Sequence, residues 1–272
     1  MRPATPRRLS MDLSAMRLCA VVPAAGRGTR LGGDLPKLLA PLGHGATVWS
    51  ILSRKLLAVA DHVSLIVSPK GVAPLNEVIA REGLGDRVSL SIQPIPAGMG
   101  DAIFRAAPVW SRATTILIVW GDQVFVSDKT LRQACAIHND DPATVVLPLV
   151  PMAHPYVEYC FDHSGRLDAI KQSREGDECA EHGYADIGTF VLSAEGLQAR
   201  WREYRAASKA GTLTREINFL PFLPWLAARG WGVRRFTVTD AREARGINTP
   251  EDLAFFQAIM AAQRGPEDVC TR

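Results

Sequence analysis

The sequence predicts an α/β protein: a doubly wound, mostly parallel sheet whose second half is mixed. Three observations carry this. Between residues 18 and 149, short apolar runs alternate with amphipathic segments at helical spacing. The first run ends in a turn of small residues, Pro23-Ala24-Ala25-Gly26. After Pro151 the alternation gives way to strand-like runs that follow one another directly.

Leu18 to Val22 reads as a buried strand ending at Pro23. Thr47 to Ala60 reads as a helix, because Val48, Ile51, Leu52, Leu56 and Val59 fall on one face. Val63–Val67 is the next strand, and Ala73–Arg81 a helix with Pro74 in its first turn. Strands at Val88–Gln93, Thr115–Trp120 and Thr144–Leu149 alternate with helices at Asp101–Ala107 and Lys129–His138. Such alternation places helices on both faces of a parallel sheet. Tyr156–Phe161 and Leu167–Gln172 form a hairpin turning at His163-Ser164-Gly165. Arg174 to Gly183 reads as a charged loop, Ile187–Leu192 as a strand, and Ala194–Arg205 as a helix. Phe219–Arg229 is apolar but interrupted by Pro221 and Pro224, and Gly232–Val238 is the last strand. The final helix has Thr249 at its N-cap, Pro250 at its first position, and Glu251 and Asp252 at its positive end.

Composition narrows the functions. The chain has 272 residues, enough for one α/β domain, and 47% of them are apolar, enough for a full core. Its 31 basic and 28 acidic residues leave a net charge of +3. That balance gives no case for a nucleic-acid or membrane-surface partner, so any anion site must be local. No apolar run approaches the roughly 18–20 residues of a membrane span. Residues 1–16 are basic and proline-bearing without the apolar stretch of a signal peptide, and read as a disordered leader. Met11 and Met16 are alternative starts. The five cysteines are scattered with no CxxC pair, and the six histidines show no ligand spacing. Neither a zinc site nor a disulfide framework is expected, and a reducing cytoplasm fits best.

The strongest local signal is Pro23-Ala24-Ala25-Gly26-Arg27-Gly28-Thr29-Arg30-Leu31, followed by Leu35-Pro36-Lys37-Leu38. It stands at the end of the first strand, where open α/β sheets bind ligands. Small residues let backbone N–H groups approach a phosphate chain, and Arg30 and Lys37 supply charge to neutralise it. The spacing is not that of a Walker A loop. It is not a dinucleotide fingerprint either, since Leu31 takes the third glycine position and no acid ends the second strand.

Ala24-Ala25-Gly26-x-Gly28-Thr29-Arg30 with Pro36-Lys37 closely resembles the signature of the sugar-phosphate nucleotidyltransferases. That group includes the uridylyltransferase domain acting on glucosamine 1-phosphate and the glucose-1-phosphate thymidylyltransferases. The resemblance implies a Rossmann-like nucleotidyltransferase fold, with Ala24, Ala25, Gly26, Gly28 and Thr29 wrapping a triphosphate and Arg30 and Lys37 contacting phosphates. Further segments resemble the family in order. Gln93-Pro94-Ile95-Pro96-Ala97-Gly98 is similar to its base-recognition segment, which implies that Gln93 and Gly98 meet a pyrimidine. Met99 stands where the family often has threonine. Gly121-Asp122 resembles its metal motif, and Asn248 precedes the last helix as the family's second metal ligand does. One carboxylate and one amide carbonyl suit Mg²⁺, which keeps phosphate oxygens and water as its other ligands.

The resemblance divides residues 17–265 into a nucleotide-binding half, 17–150, and an acceptor and metal half, 151–265, with 266–272 as a tail. In the acceptor half the chemistry departs from the pattern. Glu158, Gln172 and Asp186-Ile187-Gly188 stand at places where the family has glycine, glutamate and Asn-Thr-Gly. Glu158, Gln172, Asp186 and Gly188 are thus expected to bind the acceptor, with Glu216 a looser match. An acceptor phosphate is largely dianionic at neutral pH and needs no general base. The expected reaction is transfer of a nucleoside monophosphate from an NTP, UTP or dTTP first, to a sugar 1-phosphate with release of pyrophosphate. Arg30, Lys37 and Asp122 are its catalytic residues on this reading. A cytidylyltransferase acting on a polyol phosphate, phosphocholine-like or phosphonate acceptor remains an alternative. So does a non-catalytic nucleotide-sensing module. A homo-oligomer is left open.

Overall fold

The computed structural model describes residues 16–26 and 36–263. Residues 1–15, 27–35 and 264–272 lie outside it. With them go most of the expected leader, the tail, and the signature positions Gly28, Thr29 and Arg30. Met16, at the boundary of the expected leader, is buried in the core.

Strand β1 (Leu18–Pro23) is buried almost end to end. Cys19 and Val21 enter one apolar cluster while Leu18, Ala20 and Val22 enter the other. A strand covered on both faces must be continuously apolar, as this run is. Next, β2 (Pro41–Gly43) and β3 (Ala46–Thr47) make a small hairpin that the apolar pattern does not predict. Helix α1 (Val48–Leu57) opens with a capping box: the Thr47 side chain accepts from Ser50 N–H, and Ser50 Oγ accepts from Thr47 N–H. Strand β4 (His62–Val67) leads into α2 (Pro69–Arg81). This helix starts four residues before its expected start, because Pro69 rather than Pro74 takes the first turn. Pro74 lies inside the helix, where its missing N–H forfeits one backbone bond.

Strand β5 (Val88–Ile92), helices α3 (Met99–Arg105) and α4 (Ala107–Trp110), strand β6 (Thr115–Val119) and helix α5 (Asp128–Asp140) follow. Then come β7 (Thr144–Ala153), the antiparallel hairpin β8 (Val157–Phe161) and β9 (Leu167–Gln172), β10 (His182–Asp186) and β11 (Thr189–Ser193). Helices α6 (Leu197–Ala207) and α7 (Phe222–Ala227), strand β12 (Gly232–Thr237) and helix α8 (Pro250–Gln263) close the chain. At α8, Asp252 N–H donates to Thr249 Oγ1 at 3.2 Å, the expected N-cap.

The main sheet has eight strands in the order β10-β7-β11-β6-β1-β4-β5, with β12 also on β7. β1, β4, β5 and β6 are mutually parallel, β12 runs parallel to β7, and β11 and β10 run against their neighbours. Helices α1, α2, α5 and α8 cover one face and α3, α4, α6 and α7 the other. β10 corrects the expectation of a charged loop through Gly183. Its residues, His-Gly-Tyr-Ala-Asp, carry no apolar run, and the upper end of β7 recruits them: His182 to Asp186 pair with Ala153 to Leu149. From β1 the chain runs to β4 and β5 on one side, then crosses to β6 on the other. The order therefore reverses between β1 and β6, and their C-terminal ends part to leave a crevice.

Two buried histidines set an acid limit on this fold. Burial, and then the Arg87 charge, lowers the His62 pKa; burial lowers that of His138 despite the Thr144 carbonyl and Asp141. The unfolded chain, with pKa values near 6.5, takes up these protons first as pH falls. Their contribution to stability is complete above about pH 6.5 and shrinks as the pH falls toward each folded-state value. The thermal midpoint is expected to drop between pH 7.5 and pH 5.5, with a shallower drop in a His62→Gln, His138→Gln double variant. Parallel pH profiles for the two proteins would count against this.

Candidate active site

The crevice at the reversal point is a pocket of about 480 Å³. Pro23, Ala24, Ala25 and Gly26 form one rim and Gly121-Asp122 the facing one. Their approach requires small residues. Gly121 N–H donates to the Pro23 carbonyl at 3.3 Å. A Cβ on Gly121 would lie 2.8 Å from Ala24 Cβ, too close to fit.

Three of the expected residues converge there. Lys37 leads a short 3₁₀ turn, Lys37–Leu39, packed beside α1. Its Nζ lies 3.2 Å from Asp122 Oδ2 and 2.9 Å from Asn248 Oδ1. Asp122 leaves the end of β6, while Asn248 precedes α8. The two segments are fastened to each other: Ile247 N–H donates to the Asp122 carbonyl at 3.1 Å. A Cβ on Gly246 would stand 2.9 Å from the Asp122 carboxyl carbon, so this backbone can approach only as glycine. Asn248 is held from behind by Asp252, which accepts from the N–H groups of Asn248 and Thr249 at 3.0 Å each and from Arg245 Nε at 2.9 Å. Burial alone would raise the Asp252 pKa, but these donors win and hold it below the ordinary carboxylate value.

Gln93 follows β5 into the same crevice and is 4% exposed. Its Nε2 donates to the Gly98 carbonyl at 3.0 Å and to Asp101 Oδ2 at 2.8 Å. Both partners are acceptors, so the orientation of the amide is fixed and Oε1 is the end left for a ligand. Gly98 needs its glycine for two reasons. Its φ is +111°, and a Cβ would lie 2.6 Å from the Ile217 carbonyl. Ile217 N–H donates to Ala97 O at 2.6 Å, and Gly100 N–H donates to Ile217 O at 2.9 Å. A strap from the second half of the chain thereby crosses onto the Ala97–Gly100 segment.

The acceptor half is met in part. Asp186 and Gln172 line the pocket. Burial raises the Asp186 pKa, partly offset by the Gly188 N–H, which donates to Oδ1 at 2.6 Å. Gln172 Oε1 accepts from Asn218 Nδ2 at 3.0 Å. Glu158 and Gly188 are not among the residues that line the crevice. The Glu158 carboxylate turns toward the backbone, accepting from Ala180 N–H at 2.8 Å with Lys171 Nζ 3.5 Å away. Gly188 has φ +70°, and a Cβ there would meet Trp120 Cδ1 at 2.5 Å, so its glycine serves packing. Conversely, sequence reasoning passes over Arg174 and Gln123. Arg174 lines the pocket, with Nη2 2.9 Å from Asn218 Oδ1 and Nη1 3.3 Å from Glu216 Oε2. Its place two residues beyond Gln172 is the one signal the sequence offers.

A doubly wound sheet that gathers a small-residue turn, a lysine and a carboxylate at its reversal point has them where open α/β sheets bind ligands, and this chain carries an NTP transferase domain. It belongs to the MobA-like NTP transferase domain family, whose profile matches residues 20–187. It is 27% identical over 248 residues to the bifunctional protein GlmU of Acidithiobacillus ferrooxidans, covering 90% of this chain and 52% of the relative. To GlmU of Corynebacterium glutamicum it is 28% identical over 271 residues, covering 94% and 54%. The chain thus spans about half the length of these curated relatives. A Bacillus anthracis structure, named a glucose-1-phosphate thymidylyltransferase and solved in complex with sucrose, superposes with a TM-score of 0.70 at 14% identity, covering 89% of this chain and 94% of that one. That likeness is one of fold.

Proposed function

We propose that the protein transfers a nucleoside monophosphate from UTP or dTTP to a sugar 1-phosphate, giving a nucleotide sugar and pyrophosphate. The observation that carries this reading is the convergence of Lys37, Asp122 and Asn248 beside the Pro23–Gly26 turn. The Ala24–Gly26 backbone and Lys37 bind the triphosphate, joined by Gly28, Thr29 and Arg30 from the signature. The acceptor phosphate attacks the α-phosphorus in line and pyrophosphate leaves, so the chain's work is positioning and charge neutralisation. Gln93 bears on the base. Its free carbonyl oxygen accepts from the imide N–H of uracil or thymine, whereas the ring nitrogen of cytosine would set acceptor against acceptor.

The donor set fits magnesium. Two hard oxygens, Asp122 Oδ2 and Asn248 Oδ1, already point at one cationic centre. Among the described residues no group of three or more His, Cys, Asp or Glu side chains could by itself hold a metal ion, so on this reading the nucleotide supplies the remaining ligands. Asp122 and Asn248 would hold Mg²⁺, and when bound it would supply charge neutralisation at the triphosphate. We place the reaction in the cytoplasm. The described cysteines are free thiols, and no described helix is long and apolar enough to cross a membrane.

Arg174 is the cation of the acceptor half, and Asp186 and Glu216 are its acids. Glu216 is paired with Arg174, so Asp186 is the acid left beside an anionic substrate, and it is best met by a hydroxyl or an amine. The acceptor is therefore a polyhydroxylated or amino-bearing phosphate other than N-acetylglucosamine 1-phosphate. A pyrophosphate-release screen tests both halves of this reading: UTP, dTTP, CTP, ATP and GTP crossed with sugar 1-phosphates, phosphocholine and glycerol 3-phosphate. Turnover with UTP or dTTP and a sugar 1-phosphate is expected. Preference for CTP with phosphocholine favours the cytidylyltransferase, and nucleotide binding without pyrophosphate favours a sensor. N-acetylglucosamine 1-phosphate as the best acceptor contradicts the acceptor assignment.

A further inference from the structure

Gln123 follows Asp122 in the wall of the crevice and takes no part in the chemistry above. It is only 6% exposed. Its Oε1 is sealed from solvent without a hydrogen-bond partner among the described residues, and the residue lines the pocket. With Oε1 sealed, we take the amide nitrogen as the end that meets the crevice. A buried carboxamide in this state destabilises a fold. The chain nevertheless makes room for it. A Cβ on Gly188 would lie 2.7 Å from Gln123 Cγ, and the Asp186–Gly188 turn that closes on it is fixed by the bond from Gly188 N–H to Asp186 Oδ1.

We propose that Gln123 contacts the acceptor, its NH₂ group donating to an oxygen of the acceptor phosphate beside Asp122. This rests on the nucleotidyltransferase reading above. The side is set by packing. Gln123 leans on Gly188 ahead of β11, while the Ala24–Gly26 turn and Lys37 stand toward β1, with β6 between the two strands. The chemistry is set by charge. Asp122 is paired with Lys37, whereas Asp186 borders the crevice with no salt-bridge partner among the described residues and disfavours an entering phosphate. A neutral donor binds a phosphate oxygen without adding a cation that Asp186 would capture.

Gln123→Met keeps the length and volume of the side chain while removing the amide. Its thermal midpoint is expected to equal or exceed that of the parent, because an unpaired polar group has gone. The KM for the best acceptor of the screen should rise about tenfold, the scale of one lost hydrogen bond, with the KM for the NTP little changed. Gln123→Glu, which replaces the donor with a carboxylate, should raise the acceptor KM further. A parental acceptor KM in Gln123→Met overturns the inference. So does an effect falling on the NTP alone, or a midpoint that drops by several degrees while the acceptor KM holds. A parent that releases no pyrophosphate with any acceptor overturns the nucleotidyltransferase reading instead, and this contact falls with it.

Discussion

Lys37→Ala is expected to lower kcat/KM for pyrophosphate release by about 10²–10³-fold, roughly 3–4 kcal/mol of transition-state stabilisation. Its ammonium lies within 3.2 Å of Asp122 and 2.9 Å of Asn248, and on the proposed reading it neutralises triphosphate charge there. The fold should survive. The ion pair is about one-fifth exposed at both ends, and such pairs contribute about 0–1 kcal/mol to stability. Lys37→Arg should rescue poorly, because a planar guanidinium does not replace a compact ammonium between two oxygens. Arg30→Ala carries the same expectation from the signature alone. Near-parental kinetics in both alanine variants, with circular dichroism unchanged, would remove the loop from the triphosphate site.

Asp122→Asn should reduce turnover about a hundredfold or more while leaving the side-chain volume and the bond from Ile247 N–H to the Asp122 carbonyl intact. The substitution removes the anionic ligand and leaves two neutral carbonyl oxygens, a set too weak to hold Mg²⁺ without the nucleotide. The Mg²⁺ concentration for half-maximal rate should rise in parallel. Asn248→Ala should cost less, since water can take the place of a neutral ligand. Titration of Mg²⁺ against pyrophosphate release by each purified variant decides this. An Asp122→Asn protein with parental rate and an unchanged metal requirement would show that the carboxylate has no part in the reaction.

These residues differ in how readable they are. The alternation from β1 to β7 is legible because strands covered on both faces need unbroken apolar runs, and the cap at Thr249 is local chemistry. Lys37 and Asn248 are 211 residues apart, and within the sequence only their places in a motif resemblance join them. Glu158 turns toward the Ala180 backbone because side-chain direction depends on strand register, which spacing alone does not give, and the need for glycine at position 188 comes from Trp120 packed against it. β10 escapes notice because its polar residues are strand by virtue of the edge they meet. Gln123 is invisible for a different reason. Lacking a partner is a property of the folded surroundings, and nothing in Trp120-Gly121-Asp122-Gln123 announces it.

The backbone bonds from Ile217 to Ala97 and Gly100 have a thermodynamic consequence. Glu216 and Asn218 flank Ile217 and hold Arg174, while Gly98 anchors Gln93. Ordering either end of this chain of contacts therefore restrains the other. A nucleotide that settles Ala97–Gly100 lowers the entropy still to be lost when the acceptor settles residues 216–218. Equilibrium linkage makes the effect reciprocal: whatever factor the base contributes to acceptor affinity, the acceptor returns to the affinity for the base.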